Sequence, residues 1–145
     1  MGYGSTEVFL TALQREQLIR EYLGKTVTIQ IDRPIGYHHV TKGIHLDYPI
    51  NYGYLPGITG GDGEEQDVYL LGVRGPLAQA TAVIIGAVRR TDDNEDKLVA
   101  APEGMRFTAE EILQKVWFTE KYFDSTVQSI FDKEICHAQD FSTEL

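Results

Sequence analysis

The clearest pattern in the chain is an alternation of apolar and polar residues from Thr26 to Asp32. Val27, Ile29 and Ile31 all fall on one side of this segment. A period of two residues is typical of a strand that buries one face and exposes the other. We therefore predict a half-buried strand at this position.

Two longer apolar runs, Val68–Val73 and Ala82–Val88, follow later in the chain, with glycine and proline between them. Runs of this length between turn residues are typical of buried strands. Leu98–Ala101 is a shorter run of the same kind. Together with a strand that contains Tyr52, the pattern predicts about five strands.

A capping-box pattern marks the start of the first predicted helix. Thr11 stands three residues before Gln14, and Gly24 supplies a stop, so we expect a helix from Ala12 to Leu23. The helix is short and has apolar residues along one face, which indicates a packing role.

A second capping box is formed by Thr108 and Glu111. The apolar residues that follow keep near-helical spacing as far as Phe131, with a break around 119–125. We therefore predict a helical segment over this whole region, packed against the strands.

Short strands followed by helices predict an α+β fold, and a small barrel would leave no strand edge exposed. A chain of 145 residues with 42% hydrophobic content is expected to form one domain, residues 1–145. The single Cys136 and the absence of a long apolar run suit a cytoplasmic protein. The net charge of -9 argues against nucleic acid as a partner, and no apolar segment points to a membrane.

Acidic side chains are concentrated in the segment Asp62–Asp67, which holds four carboxylates in six positions. Two such charges about 4 Å apart repel by about 1 kcal/mol in water, and by more in a protein. A bound cation would relieve this repulsion. Oxygen ligands favour a hard ion, with Mg²⁺ before Mn²⁺ or Ca²⁺.

Two blocks of sequence resemble a known family, the family I soluble inorganic pyrophosphatases. The first block is Tyr48–Tyr54, which reads YPINYGY, and the second is the acidic turn Asp62–Asp67, which reads DGEEQD. A weaker likeness continues through Thr91–Pro102, so the resemblance covers about residues 26–125. The resemblance implies a small OB-like five-stranded β-barrel with helices at its N- and C-terminal ends, self-association, and Mg²⁺-dependent hydrolysis of pyrophosphate, with Mn²⁺ as the alternative ion.

The resemblance also implies roles for individual residues. The metal ligands would be Asp62, Asp67, Asp92 and Asp96, the catalytic residues Asp67, Glu64 and Tyr52, and the substrate-binding residues Lys97, Tyr52, Tyr122 and Arg33. One ligand is ambiguous, because the family spacing before the lysine selects Glu95 whereas residue identity selects Asp96. We choose Asp96. Glu64 stands where the family has the shorter Asp.

Several family positions have changed in this chain. Gln30 stands where the family has Glu, and Phe123 stands where it has a phosphate-binding Lys. A hairpin that carries a phosphate-binding Arg is expected to be missing, because only nine residues separate Tyr37 from Asp47. Arg33 is our preferred substitute, since a guanidinium binds phosphate through two hydrogen bonds.

The loss of cations leaves other functions open. The chain could hydrolyse another small phosphorylated compound, or it could be a non-catalytic relative that binds metal or phosphate. His38, His39 and Lys42 are further candidates for the missing cations. A zinc site built on His38, His39 and His45 is the less favoured alternative to a surface turn or a substrate-facing loop, because no second ligand pair with zinc spacing follows.

Overall fold

A computed structural model of the protein describes residues 9–141. Two α-helices, nine strands and a short 3-10 helix occur in these residues. In chain order they are α1 (Ala12–Tyr22), β1 (Thr26–Arg33), β2 (His38–Thr41), β3 (Ile44–Asp47), β4 (Asn51–Thr59), β5 (Glu65–Leu70), β6 (Gln79–Arg90), β7 (Lys97–Ala101), α2 (Ala109–Glu120), β8 (Ser125–Ser129), β9 (Ile135–His137) and the 3-10 helix (Ala138–Asp140).

Five of the strands close into a barrel. Their order is β1-β4-β5-β7-β6, and β6 pairs again with β1, so the ring has no open edge. Neighbouring strands are antiparallel except β5 and β7, which are parallel. Strands β8 and β9 extend the sheet beyond β6, and β2 pairs with β3 in a separate hairpin. The prediction of an α+β fold built on a five-stranded barrel is confirmed.

Both predicted capping boxes are present. Thr11 Oγ1 accepts a hydrogen bond from the Gln14 amide, and Gln14 Oε1 accepts one from the Thr11 amide, at 3.1 and 2.9 Å. Thr108 and Glu111 exchange the same two bonds at the start of α2. Each box satisfies two amides that have no partner within the helix. The two helix starts are therefore encoded locally.

The C-terminal prediction is wrong beyond Glu120. Residues 125–129 form strand β8, which pairs with β6, instead of continuing a helix. Ser125, Val127 and Ser129 alternate with more exposed neighbours, so their burial has the period of a strand. The spacing of apolar residues in this short segment fits either structure. The strand forms because residues 86–90 of β6 extend past the part of β6 that pairs with β1, and β8 pairs with this extension.

A second correction concerns the hairpin that we expected to be missing. Strands β2 and β3 form a hairpin between Tyr37 and Asp47, although it carries no arginine. It fits in this short stretch because its loop is only Lys42-Gly43, with φ values of 52° and 80°. Positive φ at both positions is the mark of a type I′ turn, which suits a two-residue hairpin loop.

Apolar side chains form two cores on opposite faces of the strands. One core contains residues from all five barrel strands and is covered by Ile19 of α1. The other contains Tyr52, Tyr69 and Val99 and is covered by Leu113 and other residues of α2. The two helices thus cover different sides of one sheet. Within residues 9–141, neither helix is long and apolar enough to cross a membrane.

Barrel closure depends on a close approach between β1 and β4 at Gly53. A Cβ atom at this position would lie 1.8 Å from the Gln30 carbonyl oxygen and 2.9 Å from the Ile31 Cα. These are backbone atoms, so they could not rotate away. We predict that Gly53→Ala lowers the free energy of unfolding by about 2 kcal/mol or more, measured by urea denaturation, because the two strands must separate.

Gly75→Ala is the matched control, because a Cβ there meets no atom within 4 Å. Its unfolding free energy should stay within about 0.5 kcal/mol of the wild-type value. Equal stability of the two variants would show that β1 and β4 do not approach as closely as described.

Candidate active site

A cavity of about 500 Å³ opens beside the barrel, and it brings together five of the residues that the sequence singled out. Its size is within the usual range for small-ligand sites. The walls come from the barrel, the β2–β3 hairpin and the residues after α2. The lining residues are Asp32, Arg33, His39, Thr41, Lys42, Ile44, Leu46, Tyr48, Tyr52, Asp67, Tyr69, Arg90, Glu95, Lys97, Thr119, Tyr122 and Phe123.

Lys97 is the centre of the polar wall. Its Nζ atom donates to the Tyr52 hydroxyl at 2.7 Å, to Asp67 Oδ2 at 2.8 Å and to Glu95 Oε1 at 3.1 Å. Burial lowers the pKa of Lys97, but Asp67 and Glu95 outweigh this effect and raise the pKa above its ordinary value. Burial, reinforced by the charge of Asp67, raises the pKa of Tyr52 well above its usual range. The site therefore holds a charged amine and a neutral phenol.

Carboxylates are crowded next to Lys97. Asp62, Asp67 and Glu95 border one small depression in the surface. Burial raises the pKa of Asp62, and the charges of Glu95 and Asp67 add to the increase. Burial also raises the pKa of Asp32, with a contribution from Asp67. Burial is the main cause of both increases, and the negative charge of Asp67 contributes to each.

These carboxylates fit a hard cation in their chemistry, because they offer only oxygen atoms. In the described part of the chain, however, no three His, Cys, Asp or Glu residues converge closely enough to hold a metal ion. The Nζ atom of Lys97 is the cation that contacts both Asp67 and Glu95. A divalent ion among these acids would require Lys97 or the carboxylates to shift.

Four of the predicted site residues do not line the large cavity, and two of them, Asp62 and Asp96, border the small depression instead. Both carboxylate oxygens of Asp96 accept hydrogen bonds from Arg15, each at 2.8 Å. Asp92 Oδ2 accepts a bond from the Asp124 amide at 3.0 Å. The Glu64 side chain is exposed in the β4–β5 turn. Glu95, two residues before Lys97, is the acid of the second loop that faces the cavity.

Arg33 provides a second positive charge in the cavity wall. Its Nη1 atom donates to the Tyr48 hydroxyl at 2.6 Å, and its guanidinium lies 5.6 to 5.7 Å from the ring centres of Tyr37, Tyr48 and Tyr52. Among residues 9–141, neither Arg33 nor Lys42 forms a salt bridge with a carboxylate. Both side chains can therefore offer their charge to an anionic ligand.

A buried ion pair, one member of which lines the cavity, was not predicted from the sequence. Arg90 donates to Glu120 from Nε at 3.1 Å and from Nη2 at 2.7 Å. The Tyr69 and Ser125 hydroxyls also donate to Glu120, each at 2.6 Å, and the Glu120 side chain is fully buried. Arg90 Nη1 reaches the acidic loop at Asp93 Oδ2, 3.3 Å away. This pair joins β6, α2 and the loop.

Burial raises the pKa of Glu120, but the bonds from Arg90, Ser125 and Tyr69 outweigh it and hold the pKa below its usual range. A carboxylate with a lowered pKa stabilises the fold above its ordinary pKa. This contribution is lost as the pH falls through the lowered value. Arg90 and Glu120 are 30 residues apart, and no spacing rule in the sequence connects them.

Three of the four histidines lie on the β2–β3 hairpin, on two different faces. His39 points into the cavity with Thr41, as expected of a substrate-facing loop. His38 and His45 lie on the outer face, where His38 Nδ1 contacts Asp47 Oδ1 at 2.6 Å and His38 Nε2 contacts His45 Nδ1 at 3.2 Å. The three histidines therefore do not converge on one point.

No family model matches the chain. Two curated relatives match part of it, and both are named inorganic pyrophosphatase. The protein of Haemophilus influenzae is 42% identical over 93 residues, which are 61% of this chain and 48% of the relative. The protein of Ralstonia nicotianae is 35% identical over 83 residues, which are 52% of this chain and 47% of the relative. The matches thus span about half the length of each relative.

The fold has a counterpart among solved structures. The crystal structure of inorganic pyrophosphatase from Ehrlichia chaffeensis superposes with a TM-score of 0.55 at 18% identity, covering 75% of this chain and 88% of the other. This likeness shows a shared fold, an OB-like barrel with flanking helices. The curated relatives confirm the resemblance of this chain to the inorganic pyrophosphatases over the part that they match.

The Arg90–Glu120 pair leads to a prediction about stability. Glu120→Gln would leave the buried guanidinium of Arg90 without its full counter-charge, so the free energy of unfolding should fall by about 3–5 kcal/mol in urea denaturation. Glu110→Gln, an exposed change on the same helix, should stay within about 0.5 kcal/mol. A double variant, Arg90→Met with Glu120→Met, should recover part of the loss. A Glu120→Gln protein as stable as Glu110→Gln would contradict the buried pair.

A second prediction tests whether Glu95 or Asp96 is the metal ligand of the second acidic loop. Asp96→Asn breaks the charge pair with Arg15 and should lower the free energy of unfolding by about 1.5–3 kcal/mol. Glu95→Gln removes a charge that faces the cavity, so it should weaken Mg²⁺ binding, read as the thermal shift on adding Mg²⁺, while the melting temperature without metal changes less. If only Asp96→Asn lost the Mg²⁺-induced rise in melting temperature, the result would support our prediction from the sequence that Asp96 is the ligand.

Proposed function

We propose that this chain hydrolyses pyrophosphate to two phosphates and requires Mg²⁺. The observation that carries the proposal is the contact of Lys97 with Tyr52, Asp67 and Glu95 in the wall of a cavity that also holds Arg33. The named relatives support the same reaction, although the matches span only about half of each.

The residues divide into two groups with different tasks. Asp62, Asp67 and Glu95 would hold Mg²⁺, and Glu95 replaces Asp96 in this proposal because Arg15 binds both oxygens of Asp96. Mg²⁺ would neutralise phosphate oxygens and lower the pKa of a bound water. Asp92 and Glu64, which we predicted to be a metal ligand and a catalytic residue, have no such role in this proposal because they line neither the cavity nor the small depression.

Arg33, Lys42 and Tyr122 would bind the substrate. Arg33 can bind one phosphate group through its guanidinium, and Lys42 lines the cavity from the tip of the β2–β3 hairpin. The Tyr122 side chain is 47% exposed, so its hydroxyl is accessible to a ligand. These residues would hold the substrate with its bridging oxygen directed away from the attacking water.

Asp67 would accept a proton as a water molecule attacks phosphorus. The water oxygen forms the new P–O bond, the bond to the bridging oxygen breaks, and the second phosphate leaves. Lys97 and Tyr52 would donate hydrogen bonds to the phosphate oxygens where negative charge accumulates. Tyr52 can do this because burial keeps its hydroxyl protonated.

Two other functions each have one observation in their favour. A larger phosphorylated substrate is favoured by the apolar side chains Ile44 and Leu46 in the cavity wall, since pyrophosphate cannot use them. A non-catalytic role is favoured by Lys97, whose amine already neutralises Asp67 and Glu95. A substrate panel distinguishes the first function, and absence of turnover on every compound would indicate the second.

We also propose that the chain acts as one domain in the cytoplasm. The two cores use alternating residues of the same strands, which supports one domain. The single Cys136 supports a reducing compartment. Self-association remains a prediction from the family resemblance.

Asp67→Asn tests the proposal. Wild-type protein with Mg²⁺ should release phosphate from pyrophosphate, and Asp67→Asn should lower kcat at least 100-fold because the proton acceptor and a ligand are lost together. The variant should also lose most of the Mg²⁺-induced rise in melting temperature. Asp140→Asn changes an exposed acid on the 3-10 helix and should behave as the wild type. Full turnover by Asp67→Asn would refute the site.

A further inference from the structure

The outer face of the β2–β3 hairpin carries a group of side chains that pyrophosphate hydrolysis does not use. His38 lies directly opposite Asp47 in the antiparallel register, and His45 lies opposite Val40, one diagonal step away. The side chains of His38 and Asp47 are 48% and 80% exposed. Neither His38 nor His45 lines the cavity, so this group forms a separate feature.

We propose that His38 and His45 together bind a divalent transition metal ion of the zinc class. The Nε2 atom of His38 and the Nδ1 atom of His45 are 3.2 Å apart. Two nitrogens that bind one ion at about 2.0–2.1 Å, with ligand angles between octahedral and tetrahedral values, are themselves about 2.9–3.4 Å apart. The observed separation of these two atoms falls in this interval.

Asp47 prepares His38 for this role. Its Oδ1 atom lies 2.6 Å from His38 Nδ1 and accepts a hydrogen bond from the N–H group at that nitrogen. The neutral ring then carries its lone pair on Nε2, the atom that faces His45. A carboxylate behind a ligating histidine is the usual arrangement in zinc sites, where it fixes the tautomer and strengthens the ligand. In the metal-free protein, His45 Nδ1–H would donate to His38 Nε2, and metal binding would move that proton to His45 Nε2.

The ligand set determines which metal is bound. Two imidazoles favour Zn²⁺, Ni²⁺ or Cu²⁺ over Mg²⁺, which prefers oxygen. In the part of the chain described here, no third His, Cys, Asp or Glu completes the group, so water would fill the remaining positions. Such a site is open and exchangeable. The ion would join β2 to β3 in the hairpin whose inner face walls the cavity.

The test is calorimetric titration with Zn²⁺ of protein that has been freed of transition metals. The titration is run at pH 7.5 in excess Mg²⁺, so that Mg²⁺ occupies the oxygen sites. We expect one equivalent of Zn²⁺ to bind, and His38→Ala and His45→Ala each to abolish this binding. Asp47→Asn should keep the stoichiometry and lower the affinity about 10–100-fold. His137→Ala, a change of an exposed histidine on β9, should bind Zn²⁺ as the wild type does.

A second measurement does not depend on these variants. Zn²⁺ should shift the ring nitrogen resonances of His38 and His45 in the nuclear magnetic resonance spectrum of wild-type protein, and it should leave those of His39 and His137 in place. Absence of saturable binding in excess Mg²⁺, or binding that survives both alanine variants, would overturn the proposal. Neither result bears on pyrophosphate hydrolysis, which is measured with Mg²⁺ alone.

Discussion

The buried pair of Arg90 and Glu120 is the interaction on which the arrangement of the site depends. Two ions removed from water are stable only if their hydrogen bonds are satisfied, and here Tyr69 and Ser125 complete those of Glu120. The pair thereby fixes α2 against the barrel and holds Arg90 at the base of the acidic loop. Arg15 of α1 binds the same loop through Asp96. The loop is thus held by both helices.

The fold was predictable where local chemistry decides the structure. The two capping boxes, the alternating strand β1 and the apolar runs of β6 and β7 form close to where the sequence places them, whereas β5 begins and ends three residues before the predicted strand Val68–Val73. The errors occur in segments whose structure depends on contacts or backbone conformations that local sequence patterns do not reveal. β8 forms because β6 extends past the residues that pair with β1, and the hairpin forms because Lys42 accepts a positive φ, which is uncommon for this residue type.

The site was predictable in its composition and less so in its geometry. The resemblance places Tyr52, Asp67 and Lys97 together, and the structure brings them into direct contact. The resemblance could not show that Asp96 binds Arg15, because Arg15 belongs to α1, which is distant in sequence and lies outside the region of resemblance. The sequence also gave no signal for Arg90 and Glu120, whose pairing depends on where α2 packs.

The single parallel pair in the barrel limits how this site can change during evolution. Val68 of β5 lies opposite Leu98 of β7, so Asp67 and Lys97 are neighbours at the same end of adjacent strands. Insertion of one residue in either strand would turn one of the two side chains to the other face of the sheet. The lengths of β5 and β7 are therefore constrained, whereas the hairpin tip at Lys42 can lengthen without moving either group. New substrate preferences would arise most readily by insertion of residues at the tip of the hairpin.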